Sequence, residues 1–166
     1  MAEERNPEFY FKLWLTSISS PMLFPVAEAA WQRMKRAVEN RREGFFIFAS
    51  RDGRTYALNM HYVQMAEFFS EESDTPVEPI NQRSPEVRLY YAGRGAESFR
   101  SGDPKELAAI FTALQTGSHG GVLSFSEKNG SLLVMNTDEL ILLESWTEFV
   151  EDGFRQALRE KQSQKE

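Results

Sequence analysis

The chain has 166 residues, 13% of them aromatic, with a net charge of −6 and no cysteine. The charge divides as 9 basic against 11 acidic residues through Pro76 and 10 against 14 beyond it, so neither half has the balance of a general polyanion binder. Without cysteine there are no disulfide staples, thiol nucleophiles or cysteine metal sites, and the length suits one domain or two small ones.

Residues 1–6 read as a polar tail with no apolar signal core behind it, which together with the missing cysteine fits a cytoplasmic location. No stretch approaches the length of a membrane span. Phe9 to Leu15, FYFKLWL, is dense in aromatics and predicts a buried strand. Thr16 to Phe24 reads as a connection, after which Pro25 suits a first helical position. A helix is expected from Pro25 to Asn40, with Val26, Ala30, Met34 and Ala37 or Val38 as its apolar stripe. Its other face carries Arg33, Lys35 and Arg36, continued by Arg41 and Arg42. That cluster reads first as a solvated face near the helix C-terminus, and second as a contact for an acidic partner or phosphate.

Phe48 to Glu67 then predicts a hairpin at Asp52-Gly53, a strand over Thr55 to Leu58, an Asn59 turn and a third strand over Val63 to Phe68. These pieces together describe an antiparallel meander. Ser70 to Ser84 is acidic and Pro-bearing, the composition of a linker.

The second half repeats the first at an offset of 77 residues. Phe48/Phe125, Gly53/Gly130, Asn59/Asn136 and Glu67/Glu144 coincide, and Gly44 matches Gly121. Val87 to Ala92 answers the first strand, shifted by 78, and Asp103-Pro104-Lys105-Glu106 opens a helix with an N-cap, a first-turn Pro and a capping-box acid. Leu107, Ile110, Phe111 and Leu114 form its stripe and Gly117 ends it. Asn129-Gly130 predicts the second hairpin, Asn136 the second turn and Leu140 to Glu144 the last strand. Ser145-Trp146-Thr147-Glu148 offers a further capping box for a helix with Phe149, Val150, Phe154, Ala157 and Leu158 on one face up to about Glu160. The tail REKQSQKE reads as frayed.

The fold class read from this pattern is α+β: a tandem duplication of a β-α-β-β-β unit, with each meander packed on one helix, plus a C-terminal helix. The boundaries are 1–69 for the first unit, 70–84 for the linker, 85–145 for the second unit and 146–166 for the amphipathic helix and tail. Each unit alone would bury a thin core, so the two are expected to pack together, with separate beads on the linker as the alternative.

Chemistry is sparse. His61 and His119 do not match in the repeat, and neither has a second ligand at metal spacing within its own element. No phosphate-binding, dinucleotide or nucleophile-elbow motif is present. The 93–102 loop, with Arg94 and Arg100, resembles in composition an anion-holding loop, but Asp103 as N-cap would repel the anion. No cofactor, metal or catalytic residue is therefore assigned.

What recurs is turn glycines, turn asparagines and apolar positions, a pattern that suits a protein-interaction or assembly module. Its partner would be a protein or a second copy, met through sheet edges or the aromatic surface of Trp14, Tyr62 and Trp146. Nucleic-acid binding through Arg33, Lys35, Arg36, Arg41 and Arg42 is the first alternative, disfavoured by the acidic balance. A ligand sensor or enzyme with a site between the units, lined by Arg94, Arg100 or His119, is the second.

Overall fold

A computed structural model describes residues 7–73 and 77–165. The tail expected at 1–6, the linker residues 74–76 and the final residue lie outside the described residues. The order is β1 (Pro7–Leu15), β2 (Met22–Val26), α1 (Glu28–Glu39), β3 (Phe45–Ala49), β4 (Arg54–Asn59), a single 3-10 turn (Met60–Tyr62) and β5 (Val63–Glu72). There follow β6 (Glu86–Tyr91), β7 (Glu97–Arg100), α2 (Pro104–Thr116), β8 (Val122–Ser126), β9 (Leu132–Asn136), β10 (Leu140–Trp146) and α3 (Thr147–Ser163). The class is α+β with antiparallel sheets and a C-terminal helix. Both halves run through the same succession, β-β-α-β-β-β.

Three sheets hold these strands, in the orders β2-β1-β5, β3-β4-β10-β6-β7 and β8-β9. The meander expected of each unit does not form. In the first half β5 leaves the β3-β4 hairpin and pairs with β1, Phe11 opposite Phe68 and Leu13 opposite Ala66. In the second half β10 leaves β8-β9 and pairs with β6. In the first half Met60 to Tyr62 make a helical turn rather than a tight reversal, and the burial of Phe11, Leu13 and Phe68 draws the next strand onto β1. The vacant side of β4 is taken by β10, with Leu142 opposite Leu58 and Ser145 opposite Thr55. The hairpin of the first half thus extends the sheet of the second, so the halves are not separate beads.

Two further strands were hidden in what read as connections. Phe24 and Val26 are buried and pair with Phe11 and Phe9, which draws residues 22–26 into β2 and delays α1 to Glu28. Pro25 is accommodated because β2 is an edge strand, where a missing N–H breaks no ladder on the open side. Similarly, Glu97–Arg100 of the 93–102 loop pair with β6 as β7.

Local signals mostly form as written. Asn59 Oδ1 accepts from the His61 amide at 3.1 Å and Asn136 Oδ1 from the Asp138 amide at 2.9 Å, the same turn in both halves. At the hairpins only the glycines, Gly53 and Gly130, take positive φ. Gly53 N donates to Ser50 O and Gly130 N to Glu127 O, so each loop is a turn closed by a left-handed glycine rather than one with two such residues.

Asp103 caps α2 by accepting from the Lys105 amide at 2.9 Å, and Gly117 closes it at φ 74°. Glu106, the expected capping-box acid, instead accepts from the Ser126 amide and ties α2 to β8. The box expected at Ser145 does not form either. Ser145 is the buried penultimate residue of β10, its hydroxyl donates to Glu86 O, and α3 begins at Thr147 without a side-chain cap. The helix continues through Ser163, into the tail that read as frayed.

Two apolar cores lie on opposite faces of the five-stranded sheet. Phe46, Phe48, Tyr56, Leu58 and Leu142 face α1 and the inner side of β2-β1-β5, where Phe11, Leu13, Phe24 and Met34 are buried. Phe45, Ala57, Leu89 and Leu143 face Leu107, Ile110, Phe111 and Leu114 of α2, Phe125 and Met135 of the second hairpin, and Phe149 and Val150 of α3. The third helix therefore covers the place where the hairpin of one half meets the sheet of the other.

Candidate functional site

The basic group on α1 is largely turned onto aromatics. The guanidinium carbons of Arg33 and Arg42 stand 5.0 and 5.6 Å from the centre of the Phe46 ring, and Lys35 Nζ stands 5.5 Å from Trp31. Arg36 is exposed in the last turn, and Arg41, also exposed, takes φ 50° just beyond it. None of the five forms an ion pair among the described residues.

Arg94 and Arg100 are separated from this group. Arg94 pairs with Glu97 at 3.5 Å on the surface. Arg100 lines an open groove of about 590 Å³ with Glu86, Phe99 and Lys128.

The three aromatics do not form one surface. Trp14 lies on β1 opposite Met65, with Lys12 Nζ 5.4 Å from its ring. It shares the outer face of the three-stranded sheet with Tyr10, whose ring stacks on Phe69 at 5.4 Å, and with exposed Leu23. Trp146 ends β10 in a different sheet, under the Arg54 guanidinium at 4.8 Å. Tyr62 donates its hydroxyl to Asp138 O at 2.7 Å, a bond between the halves.

A groove of about 430 Å³ between the halves is lined by Arg42, His61, His119, Thr137 and Asp138. His119 Nδ1 accepts from the Gly121 amide at 3.1 Å and lies 3.1 Å from Thr137 Oγ1. A neutral ring so held carries its proton on Nε2. Thr137 is 1% exposed, so its hydroxyl is closed to a substrate and the bond fixes the glycine loop. No group of three His, Asp or Glu with metal-binding geometry occurs among the described residues.

One buried polar cluster escaped the sequence. Glu144, buried in the middle of the five-stranded sheet, accepts from Arg54 Nη1 at 2.9 Å and from the Tyr90 hydroxyl at 3.2 Å. Burial pushes the Tyr56 and Tyr90 hydroxyls above the usual tyrosine range, and the Glu144 charge adds to both. Its signal was the Glu67/Glu144 coincidence, but a pairing between strands of different halves has no local trace.

The most conspicuous unpartnered features are two strand edges. Among the described residues β5 pairs only with β1 and β9 only with β8. The β9 hairpin turns Val122, Leu132 and Val134 outward, and β5 exposes Met65. Open edges with apolar side chains are templates for further pairing. No helix among the described residues is long and apolar enough to cross a membrane. No family model matches the chain, and neither the curated proteins nor the solved structures contain a match to it.

Proposed function

We propose that the chain is a non-catalytic assembly module, built by duplication of one β-β-α-β-β-β unit, that binds a protein partner through its open strand edges. The observation that carries this reading is the pair of edges, β5 and β9, each left unpaired among the described residues beside exposed apolar side chains. Edge addition supplies main-chain hydrogen bonds for affinity and alternate side chains for specificity. The outer face of the β1-β5 pair, with Tyr10 and Trp14 on β1 and Met65 on β5, adds contact area beside one edge.

The test compares the tagged wild-type chain with an edge-charged variant, Met65→Lys with Val134→Lys, by light scattering and by retention from its native extract. The reading expects a defined self-complex or protein partner that the variant loses. A strict monomer that retains nothing, or a complex indifferent to both charges, overturns it.

The lack of ion pairs on Arg33, Lys35, Arg36, Arg41 and Arg42 among the described residues favours nucleic acid as the second reading. It expects retained nucleic acid that is released by salt and lost in Arg41→Glu with Arg42→Glu. Unchanged RNA and DNA affinity in that variant removes it.

A further inference from the structure

The first hairpin and the second share one backbone bond that holds each tip in its own half, but differ in what lies beyond them. At both tips the residue after the turn's first position donates backward to an edge strand, Arg51 N to Pro25 O and Lys128 N to Arg100 O. Beyond its own half the first hairpin has a partner, because β4 pairs with β10, the last strand of the second half. Among the described residues its counterpart β9 has no partner beyond its own half, and neither has β5, the counterpart of β10.

The exposed residues record the same gap. Val122, Leu132, Val134 and Met65 are 53% to 66% exposed. At the 77-residue offset they correspond to Phe45, Thr55, Ala57 and Leu142, which are all 8% exposed or less. They are buried because β4 and β10 meet: Phe45, Thr55 and Ala57 lie on the face that α2 and α3 cover, and Leu142 lies on the opposite face, against the core under α1 and the three-stranded sheet. An asparagine repeats the contrast. Asn59 Nδ2 crosses the joint to Leu140 O at 3.0 Å. Asn136, whose Oδ1 makes the same turn, has an exposed side chain whose amide N–H groups donate to nothing among the described residues.

We propose that β9 of one copy pairs antiparallel with β5 of a second copy of this chain, repeating between molecules the β4-β10 joint within one. Carrying the observed register across places Met65 opposite Met135, Ala66 opposite Val134, Glu67 opposite Leu133 and Phe68 opposite Leu132. That register is the one that keeps faces consistent: Ala66 and Phe68 pack on the inner side of their sheet, where Val134 and Leu132 would be buried with them, and a slip of one residue would turn both outward. Asn136 Nδ2 would then reach the Val63 carbonyl of the second copy, as Asn59 reaches Leu140. The occupant is a second copy rather than an unrelated chain because the matching strand, the matching register and the matching apolar pairs are all present in this sequence. The contact uses two different surfaces, so each copy offers one edge and accepts one; a ring that closes satisfies all of them.

This inference rests on the assembly reading and adds the partner and the register to it. The chain has no cysteine, so introduced thiols report without background. Directly opposed residues in an antiparallel pair have Cβ atoms about 4.5–5.5 Å apart, close enough for a disulfide after slight adjustment. Ala66→Cys protein mixed with Val134→Cys protein under mild oxidation should give a linked two-chain species on a non-reducing gel, much faster than Ala66→Cys mixed with Val122→Cys, whose thiol lies on β8. Val134→Lys should weaken self-association by roughly tenfold or more while keeping the native circular dichroism.

Self-association without the Ala66–Val134 link overturns the proposed joint and leaves the assembly reading standing. A link formed within single chains of the double variant, at monomer mass, overturns the second copy as occupant. A monomer with no link and no retained protein overturns both.

Discussion

Gly153 sits in α3 where that helix crosses the start of α2, and its replacement by alanine tests how tightly the two are seated. A Cβ at Gly153 would lie 2.0 Å from the Pro104 carbonyl oxygen, 2.6 Å from its carbon and 3.0 Å from Ala108 Cβ. Two of these three neighbours are backbone atoms, which cannot swing aside as a long side chain can. α3 must therefore lift by roughly an ångström, in an interior packed as densely as an organic crystal. On a free helix Gly→Ala is worth about 1 kcal/mol of added stability. Here overpacking of about 1–3 kcal/mol opposes it. Lifting α3 also loosens Phe149 and Val150, each worth about 1.5–3 kcal/mol when fully buried.

The expected net is a loss of about 2 kcal/mol. With a urea slope of about 2 kcal/mol/M the unfolding midpoint of Gly153→Ala should fall by roughly 1 M. Gly95→Ala, with nothing within 4 Å of its Cβ and no left-handed backbone, should stay within about 0.5 kcal/mol of wild type. A Gly153→Ala midpoint at or above wild type would refute the close crossing of α2 and α3.

Asn59→Ala removes both a turn acceptor and the bond to Leu140 O, leaving that carbonyl buried and unpaired; it should cost about 2–3 kcal/mol by chemical denaturation. Asn136→Ala loses only an exposed turn bond and should cost no more than about 1 kcal/mol in the isolated chain. Equal costs would contradict the difference between the two joints.

Tyr56 and Tyr90 titrate above the ordinary tyrosine value of about 10 when folded, so above that pH the unfolded chain gives up these protons first. Their contribution is fully present below pH 10 and is lost as pH rises toward the folded values, at up to about 1.4 kcal/mol per pH unit for each tyrosine. Burial raises the other three tyrosines as well, and Tyr56 by the widest margin, so tyrosinate absorbance should rise late for all five with Tyr56 last, together with unfolding; an ordinary titration of all five in the folded chain would contradict their burial. Arg54→Ala strips Glu144 of its ion pair inside the sheet. Because Arg54 is itself about a third exposed, the expected cost is about 1–2 kcal/mol, below the range for a fully buried pair, and thermal unfolding measures it.

α2, the bodies of α1 and α3, the two hairpins and both asparagine turns were legible because each is written within a few residues: an apolar stripe in every helix, a cap and a closing glycine at α2, a glycine at the required φ in each hairpin. β2 and β7 were not, since Met22–Val26 and Glu97–Arg100 are short edge strands whose pairing with β1 and β6 outweighs Pro25 and the flanking Gly and Ser residues. The meander was misread for a related reason. Local sequence places strands next to a turn, but whether β5 returns to β4 or crosses to β1 is decided by the burial of Phe11, Leu13 and Phe68, residues far apart in the chain. Of the candidate site, the basic cluster was found as a run of charges, while its stacking on Phe46 was invisible until β3 lay beside α1. The open edges could not be read at all from either half alone. They follow from comparing β9 with β4 and β5 with β10, which requires the pairing of the sheets.

The central claim is that these edges join copies of the chain, and the most direct measurement is the light-scattering mass of the purified protein beside that of Val134→Lys, at low and high salt with the nucleic-acid absorbance followed. The account predicts a discrete multiple of 19.1 kDa for the wild type, free of nucleic acid and unchanged by salt, and a monomer for the variant. A wild-type monomer under all conditions, or a complex whose mass falls with salt as nucleic acid leaves it, would contradict the account.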